Sequence, residues 1–336
     1  MIVFDSSSKI KRRFKKSVVV VGNFDGLHLG HQALISKAKK RAERIGGTSI
    51  VYTFHPHPSR IVHPGSYQPQ INTPGERLKL IQKLGVDVAV VELFNRAFSQ
   101  KSAQAFFDDI LVKNLKTKIL FVGYNFFFGK DRQGDTETLK KLCQKKGIEL
   151  YIARPFKIQK EVVSSSKIRA SIGAGNVKKA SAFLGRPFFL EGITIKGVGR
   201  GKMLGFPTAN IKTKSELIPK AGVYLTLAEH QSRRLPSVTN IGHAPTFSQQ
   251  TPFSIETHLI DFKKELYGEP LILHFIDRLR DTKKFPSPEA LVKQIKKDIQ
   301  KAKALVASLF EEKARSLIPK PRASRSRGIS LKKSEE

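Results

Sequence analysis

Short apolar runs alternate with amphipathic segments through the first half of the chain. The runs are rich in β-branched and aromatic side chains, which is typical of buried strands. They lie at Val18–Val21, Thr48–Phe54, Val86–Val91, Ile119–Val122 and Ile148–Ala153. The segments between them have helical spacing and lie at His31–Ile45, Glu76–Leu84, Ala103–Val112 and Thr136–Lys146. Strands that alternate with helices predict a doubly wound parallel sheet, an α/β fold whose ligand site lies at the carboxyl ends of the strands.

The pattern changes after about Gly185. Strand-like runs then follow one another without helices between them, at Leu190–Lys196, Gly222–Leu227, Val238–Ile241, Ser254–Ile260 and Leu271–Phe275. This order predicts an antiparallel β-barrel, followed by a C-terminal helix at Glu289–Leu309. We therefore predict a basic N-terminal segment (1–16), an α/β domain (17–182), a barrel domain (183–310) and a basic, disordered tail (311–336).

Charge and cysteine content limit the classes of partner. The 336 residues include 61 Lys and Arg against 28 Asp and Glu, a net charge of +33 at pH 7, which attracts polyanions such as nucleotides. The basic residues are spread along the chain, so we do not expect nucleic acid as the main partner. No apolar run approaches the roughly 20 residues of a membrane helix. We expect no export signal, and Cys143 is the single cysteine. We expect a cytoplasmic protein with no membrane partner.

A glycine-framed loop with two histidines joins the first strand to the first helix. Residues 22–31 read Gly-Asn-Phe-Asp-Gly-Leu-His-Leu-Gly-His. Backbone N–H groups and the helix dipole at such a junction favour an anion. His28 and His31 fall on one face and can donate hydrogen bonds to a phosphorus centre. Metal binding is the alternative, but no third ligand stands nearby at a telling spacing. The loop therefore predicts nucleotide chemistry.

The barrel half contains a second glycine-rich stretch, at Lys196–Lys202. Its spacing does not match a Walker A loop, and Met203 stands where Ser or Thr is required. We predict a flap over ATP phosphates. Downstream, a turn fixed by Pro207 presents the oxygens of Thr208 and Asn210, hard ligands that suit Mg²⁺, although a plain turn would have the same sequence.

These motifs, in this order, resemble the bacterial bifunctional riboflavin kinase/FAD synthetase family over residues 17–307. Further similar segments in the first half lie at 53–58, 122–129 with 132, 134 and 135, and 164–169. Those in the second half lie at 205–210, 222–224, 240–242, 245–247, 256–262 and 275–281.

The resemblance implies roles in the first half. His28 and His31 would stabilise the α-phosphate of ATP, Arg169 with Ser165 and Ser166 would hold the outgoing pyrophosphate, and Asn125 would position substrate. Further binding positions in the loop would be Gly22, Phe24, Asp25, Gly26 and Gly30. Many relatives have Asp in place of Asn125 and Thr in place of Ser166. Both changes keep hydrogen-bonding capacity.

In the second half, the resemblance implies that Glu256 is the general base and that Thr208 and Asn210 serve Mg²⁺. Substrate-binding positions would be Gly199, Gly201, Pro207, Asn240 and Arg278. Riboflavin and ATP would give FMN in the barrel, and FMN with a second ATP would give FAD and pyrophosphate in the α/β domain. Apo-flavoproteins would accept the FAD, and a homo-oligomer is left open.

Two other readings remain. One is an enzyme that keeps only one of the two activities, which assays of each domain would reveal. The other is a nucleic-acid-binding protein that has kept an old nucleotide-binding fold. It would predict tight, salt-sensitive RNA binding that survives saturating riboflavin.

Overall fold

The computed structural model describes residues 1–11, 14–197, 200–243 and 253–317. The strands of the first half are β1 (Ile2–Phe4), β2 (Ser17–Val21), β3 (Thr48–His55), β4 (Val88–Leu93), β5 (Thr117–Gly123), β6 (Glu149–Ala153), β7 (Lys157–Ile158) and β8 (Glu161–Val162). The helices are α1 (Leu29–Arg44), α2 (Pro58–Val62), α3 (Pro74–Gln82), α4 (Arg96–Ser99), α5 (Ala103–Ala105) with a π-helical continuation (Phe106–Asn114), α6 (Thr136–Lys146), α7 (Ser165–Gly173) and α8 (Val177–Leu184).

Six strands form one parallel sheet in the order β1-β4-β3-β2-β5-β6. Alternate residues of β2 enter different apolar clusters, with Val19 and Val21 in one and Val18 and Val20 in the other. Both faces of the sheet are therefore covered, and the predicted doubly wound α/β fold is confirmed. β1 lies within the predicted basic N-terminal segment, where the sequence pattern did not predict a strand. Three residues are too short a run to stand out by pattern, yet Ile2 pairs with Val88 at the sheet edge.

The second half forms a closed barrel in the order β10-β13-β12-β11-β14-β9, with every neighbouring pair antiparallel. Its elements are β9 (Phe188–Ile195), α9 (Arg200–Met203), β10 (Ala209–Thr213), β11 (Gly222–His230), β12 (Arg233–His243), β13 (Phe253–Leu259), β14 (Pro270–Arg280) and α10 (Pro288–Leu317).

The predicted antiparallel barrel with a C-terminal helix is confirmed, with two differences. The sequence pattern did not predict β10, because its five residues directly follow the Pro207 turn and carry only one buried apolar side chain, Ile211. α10 continues to Leu317, so residues 311–317 of the predicted disordered tail are helical. The predicted disorder of the remaining tail falls on residues 318–336, outside the described residues.

α7 and α8 connect the two halves and share a core with the barrel. Ile168 and Ile172 of α7 and Phe183 of α8 belong to the same buried cluster as Phe188 and Tyr224 of the barrel. The predicted boundary between residues 182 and 183 falls inside α8, and the division into domains stays a prediction. Because α7 also begins at the predicted phosphate-binding serines, the barrel core and the α/β site are physically joined.

Candidate active sites

The loop after β2 has an unusual backbone that explains its glycines. Phe24 adopts the left-handed conformation (φ 52°, ψ 26°), and Gly26 has φ +77° within the short 3₁₀ turn Asp25–Leu27. A Cβ on Gly26 would lie 2.8 Å from the Cδ1 atom of Ile71, and one on Gly22 would lie 2.9 Å from the Phe24 ring. Positive φ together with close packing therefore requires glycine at position 26.

The carbonyl oxygens of this loop are held by side-chain donors from outside it. Asn23 O accepts from Thr53 Oγ1 (3.2 Å) and from Arg77 Nη1 (2.9 Å). Asp25 O accepts from Ser165 Oγ (2.9 Å), Gly26 O from Arg186 Nη2 (2.8 Å), and Leu27 O from Gln32 Nε2 (2.7 Å). Within the described part of the chain, the N–H groups of Leu29 and Gly30 find no protein acceptor, as expected in the first turn of a helix. Carbonyls held away and free N–H groups at a helix start create an anion site.

His28 and His31 stand at this helix start as a stacked pair. Their ring centroids are 3.6 Å apart and the planes differ by 17°. His28 Nδ1 accepts the backbone N–H of His31 at 3.3 Å, so the proton of the neutral ring is on Nε2, where it can be donated. The Phe24 ring lies edge-on to His31 at 5.3 Å. Phe24 is only 1% exposed and its ring packs against His31, and its predicted binding role stays a prediction.

Burial keeps both imidazoles neutral. It lowers the pKa of His28 to about 4, with a smaller contribution from the positive charge of Arg186. It lowers the pKa of His31 well below its usual value, and the neighbouring His28 adds to this. Near pH 7 the pair is therefore a source of neutral hydrogen-bond donors rather than of positive charge.

Asp25 and Arg169 bind each other in the structure. The Asp25 carboxylate is 2% exposed, accepts the Arg169 Nη2–H at 2.7 Å, and also accepts the N–H groups of Ile71 (3.0 Å) and Asn72 (3.3 Å). Burial raises the pKa of Asp25, and Arg169 opposes that shift. Arg169 also donates to Pro69 O at 2.9 Å.

The sequence-based expectation that Asp25 and Arg169 contact the nucleotide stays a prediction. A buried carboxylate needs a paired cation, and Arg169 supplies it. Ser165 donates to the loop, while its neighbour Ser166 is exposed on the same turn.

Asn125 lies at the same edge of the sheet as the histidine loop. It follows β5, which pairs in parallel with β2, so both strands end on one side. Asn125 is exposed, and so are the neighbouring rings of Tyr124 and Phe127, which are 45% and 46% accessible. The Arg132 guanidinium lies 4.2 Å from the centroid of the Phe127 ring. Two partly exposed aromatic side chains therefore lie at the sheet edge where the predicted nucleotide loop also begins.

In the barrel, strand register brings three predicted residues into one row. Asn210 on β10 pairs with Glu256 on β13, which pairs with Asn240 on β12. Directly paired residues have Cβ atoms about 4.5–5.5 Å apart. The neighbours of Glu256 on β13, Ile255 and Thr257, are buried, so by strand alternation Glu256 points to the other face. The row therefore places a carboxylate between two amides on the outer wall of the barrel.

Two described glycines of the predicted flap lie close to Asn210 and to the Pro207 turn. A Cβ on Gly197 would clash with the Asn210 side chain, and one on Gly201 would clash with Phe206 O and approach Thr208 Oγ1 to 3.0 Å. Pro207 O accepts a hydrogen bond of 2.8 Å from His258 Nδ1, which fixes the turn. Gly199 lies outside the described residues.

Arg278 is not brought to the Glu256 row. Its Nη2 donates to Ala221 O and to Asp281, both at 2.7 Å. Its side chain fills the space above Gly175, where a Cβ would lie 2.7 Å from the Arg278 Cδ and Nε atoms. Arg278 therefore lies at the contact between the barrel and the α7–α8 turn, and its predicted role in substrate binding stays a prediction.

Sequence reasoning missed the residues that hold these sites in place. Arg77, Arg186 and Gln32 bind loop carbonyls, and His258 binds Pro207 O. His258 lies in the family-like segment 256–262 but no role was assigned to it, the other three stand in no such segment, and only the tertiary contacts reveal all four. Among the described residues, no three His, Cys, Asp or Glu side chains are grouped as a metal site.

Comparison with known proteins matches each half to a different family model. The FAD synthetase model matches residues 10–167, and the riboflavin kinase model matches residues 184–306. A Bacillus subtilis bifunctional riboflavin kinase/FMN adenylyltransferase is 38% identical over 298 residues, covering 87% of this chain and 93% of the relative. The chain belongs to the bifunctional riboflavin kinase/FMN adenylyltransferase family.

Other members of this family show similar agreement. The Listeria monocytogenes enzyme is 36% identical and the Escherichia coli K12 enzyme 33% identical, covering 87% and 84% of this chain and 93% and 90% of the relatives. A crystal structure of a Streptococcus pneumoniae protein named a macrolide-efflux protein superimposes with a TM-score of 0.82 at 32% identity. It covers 90% of this chain and 98% of its own, so the two share one two-part fold.

No described helix has both the length and the apolar content needed to cross a bilayer.

Proposed function

We propose that the two sites work in sequence: the barrel phosphorylates riboflavin with ATP, and the α/β site adenylates the resulting FMN with a second ATP, releasing FAD and pyrophosphate. The observation that supports this proposal is that residues from the family's two sets of motifs lie in two separate groups, one in each half of the chain. One is the His28–His31 helix start, and the other is the Asn210–Glu256–Asn240 row.

At the barrel site, Glu256 accepts the proton of the terminal ribityl hydroxyl as that oxygen attacks the γ-phosphate. The residues fit a magnesium ion because Thr208 and Asn210 carry hard oxygens under a glycine-lined flap that a Cβ would obstruct. Such an ion, when bound, neutralises charge on the phosphates. Asn240 flanks Glu256 and is placed to orient the hydroxyl or the carboxylate.

At the α/β site, a phosphate oxygen of FMN attacks the α-phosphorus of ATP, and pyrophosphate leaves. The neutral His28 donates from Nε2 to the α-phosphate oxygens as charge develops there. The N–H groups of Leu29 and Gly30 add donors at the helix start. Ser166, exposed beside Ser165, is placed for the leaving pyrophosphate, and the reaction needs no covalent enzyme intermediate.

Asn125 and its aromatic neighbours are suited to the flavin. Tyr124 and Phe127 offer exposed ring faces at the edge where the histidine loop ends. Stacking on such rings stabilises a planar heterocycle. We assign this surface to the isoalloxazine of FMN, with Asn125 as a hydrogen-bond partner.

Beyond the reaction, the proposal includes a cytoplasmic location, transfer of FAD to apo-flavoproteins, and self-association as an open outcome. The single Cys143 is buried and unpaired, which fits a reducing compartment. Its pKa is raised to about 11 by burial, so the thiol is unreactive near pH 7.

The test is a time course of the purified protein with riboflavin, ATP and Mg²⁺, with flavins separated by chromatography. FMN appearing first and FAD second supports both activities and their order. FMN that never becomes FAD would mean a silent α/β site and direct attention to Asn125 and Ser166. No flavin product from a folded sample would refute the proposal and favour a nucleic-acid-binding role.

A further inference from the structure

Arg186 lies at the seam between the two halves. It follows α8 and precedes β9, within the segment that matches the riboflavin kinase model. Its guanidinium nevertheless points into the α/β half. Nη2 donates to Gly26 O at 2.8 Å and to Asn72 Oδ1 at 3.2 Å, and Nη1 donates to Leu27 O at 3.3 Å. The kinase segment thus binds the turn that leads directly into His28.

Arg186 and Gln32 donate to the same two backbone carbonyls, one in each half. Nη1 also donates to Leu184 O at 3.3 Å, and Gln32 of α1 bridges the same two carbonyls, Leu27 O (2.7 Å) and Leu184 O (2.8 Å). Beside them, Gly185 (φ +70°) leaves no room for a Cβ against the Leu29 side chain. The end of α8, the start of α1 and the histidine loop are therefore locked together by two side chains.

The charge of Arg186 is largely removed from water. Burial lowers its pKa to about 10, which leaves the group positively charged near pH 7, and Glu76 partly offsets the shift. Its hydrogen-bond acceptors in the described structure are neutral oxygens. A buried positive charge interacts strongly with nearby titratable groups. The charge of Arg186 accordingly contributes to the lowered pKa of His28. Arg186 therefore has two effects on His28, one through geometry and one through charge.

We propose that Arg186 is a positioning residue for adenylyl transfer, supplied by the kinase half. It fixes the Gly26–Leu27 turn so that His28 and the N–H groups of α1 face the α-phosphate. Its positive charge also opposes protonation of His28, in addition to the larger effect of burial. This inference rests on the proposed adenylyltransferase function, and it makes the α/β site incomplete without the segment that follows α8.

The test uses the full-length protein with two substitutions at one position. Arg186→Met removes the fork and the charge, whereas Arg186→Lys keeps the charge and removes the planar fork. The rates of FMN adenylylation and riboflavin phosphorylation are measured separately, since FMN can be supplied directly. Misplacing a reacting group by about 1 Å costs on the order of 10²-fold in rate. We expect kcat for adenylylation to fall about 10–100-fold in both variants, with riboflavin phosphorylation within about two-fold of the parent.

The pH profile separates the two effects. In Arg186→Met the acid limb of the adenylylation profile should move to higher pH, because His28 loses a neighbouring positive charge. In Arg186→Lys the limb should stay in place while kcat falls. A matched control is Lys79→Met, which removes the Lys79–Glu191 ion pair (3.1 Å) between the halves without touching residues 22–31. It should leave both activities unchanged.

Three outcomes would overturn the inference: full adenylylation in Arg186→Met, an equal loss of both activities in Arg186→Lys, or an equal loss of adenylylation in Lys79→Met. A parent protein that never adenylates FMN would instead refute the proposed function itself. The two failures are therefore distinguishable.

Discussion

The two sites of this chain are built in different ways. The α/β site is buried and braced: His28 is 7% exposed, and its loop is tied by Arg77, Ser165 and Arg186. The barrel site is a row of half-buried side chains set by strand register, with Gly197 packed against the Asn210 side chain. At the α/β site, burial of the histidines controls their protonation. At the barrel site, the pairing of neighbouring strands determines where the side chains lie. Changes in the first should therefore act through pKa and loop position, and changes in the second through the side chain that is removed.

The largest expected effect separates the barrel from the α/β site. Glu256→Gln should lower the rate of riboflavin phosphorylation by about 10²–10⁴-fold, because the amide cannot accept a proton. Adenylylation of added FMN should be unchanged. Glu265→Gln, an exposed carboxylate just beyond the same strand, is the control and should retain both rates. Unchanged phosphorylation in Glu256→Gln would remove Glu256 as the base.

The converse substitution is His28→Asn. Asparagine keeps an acceptor for the N–H of His31 and is a favoured first residue of a helix, so α1 should still begin normally. It removes the Nε2 donor, and adenylylation should fall by about 10²–10³-fold. Riboflavin phosphorylation measured in the same samples should stay at the parent rate. An equal fall in both rates would mean that the sites are not independent.

Breaking the buried ion pair tests whether the α/β loop is braced. Asp25→Asn leaves Arg169, which is 13% exposed, without its carboxylate, and this should cost about 3 kcal/mol of stability. Thermal unfolding followed by circular dichroism measures the loss. Asp5→Asn breaks the exposed Asp5–Lys9 pair and should leave the free energy of unfolding nearly unchanged. Similar losses of stability in the two variants would mean that the buried Asp25–Arg169 pair stabilises the fold no more than the exposed Asp5–Lys9 pair does.

Acid should destabilise the α/β half in a defined window. The unfolded His28 takes up a proton near pH 6.5, whereas the folded one does so only near its pKa of about 4. Between these values the unfolded state binds more protons, so stability falls as the pH drops from about 6.5 to about 4. Adenylylation should show no inflection from histidine near pH 6.5. An inflection there that disappears in His28→Asn would contradict a neutral, buried pair.

The smallest effect concerns the net charge of +33. If it gathers anionic substrates, raising the salt concentration should increase KM for ATP by a few-fold through screening. Riboflavin is uncharged and provides the internal control, because its KM should not change. A salt-independent KM for ATP would remove any steering role.

Sequence patterns predicted most of the fold because each strand carries its own signal. The valines of β2 and the β-branched run of β3 read as buried strands without any tertiary information. β1 and β10 escaped because three and five residues give too little periodicity, and both are defined by their partners. The π-helical segment Phe106–Asn114 was predicted only as a helix, since its apolar spacing resembles that of an α-helix.

The candidate sites were only partly predictable, for a physical reason. His28 and His31 stand in a motif whose residue types and spacing carry chemistry, whereas Glu256 was assigned a role only by the family resemblance. Arg186 carries no such signal, because its role depends on which carbonyls lie beside it after folding. The pairing of Asp25 with Arg169 could not be predicted either, because it depends on the burial of Asp25 in the folded chain.

The most direct test of two separate sites is a mixing experiment with the Glu256→Gln and His28→Asn proteins. Given riboflavin, ATP and Mg²⁺, the first alone should form flavin nucleotides only at its residual phosphorylation rate, and the second alone should accumulate FMN. The mixture should produce FAD much faster than either variant alone, because FMN made by one protein can be adenylated by the other. FAD production by either variant alone as fast as by the mixture, or no gain in the mixture of two folded proteins, would contradict the assignment of one reaction to each half.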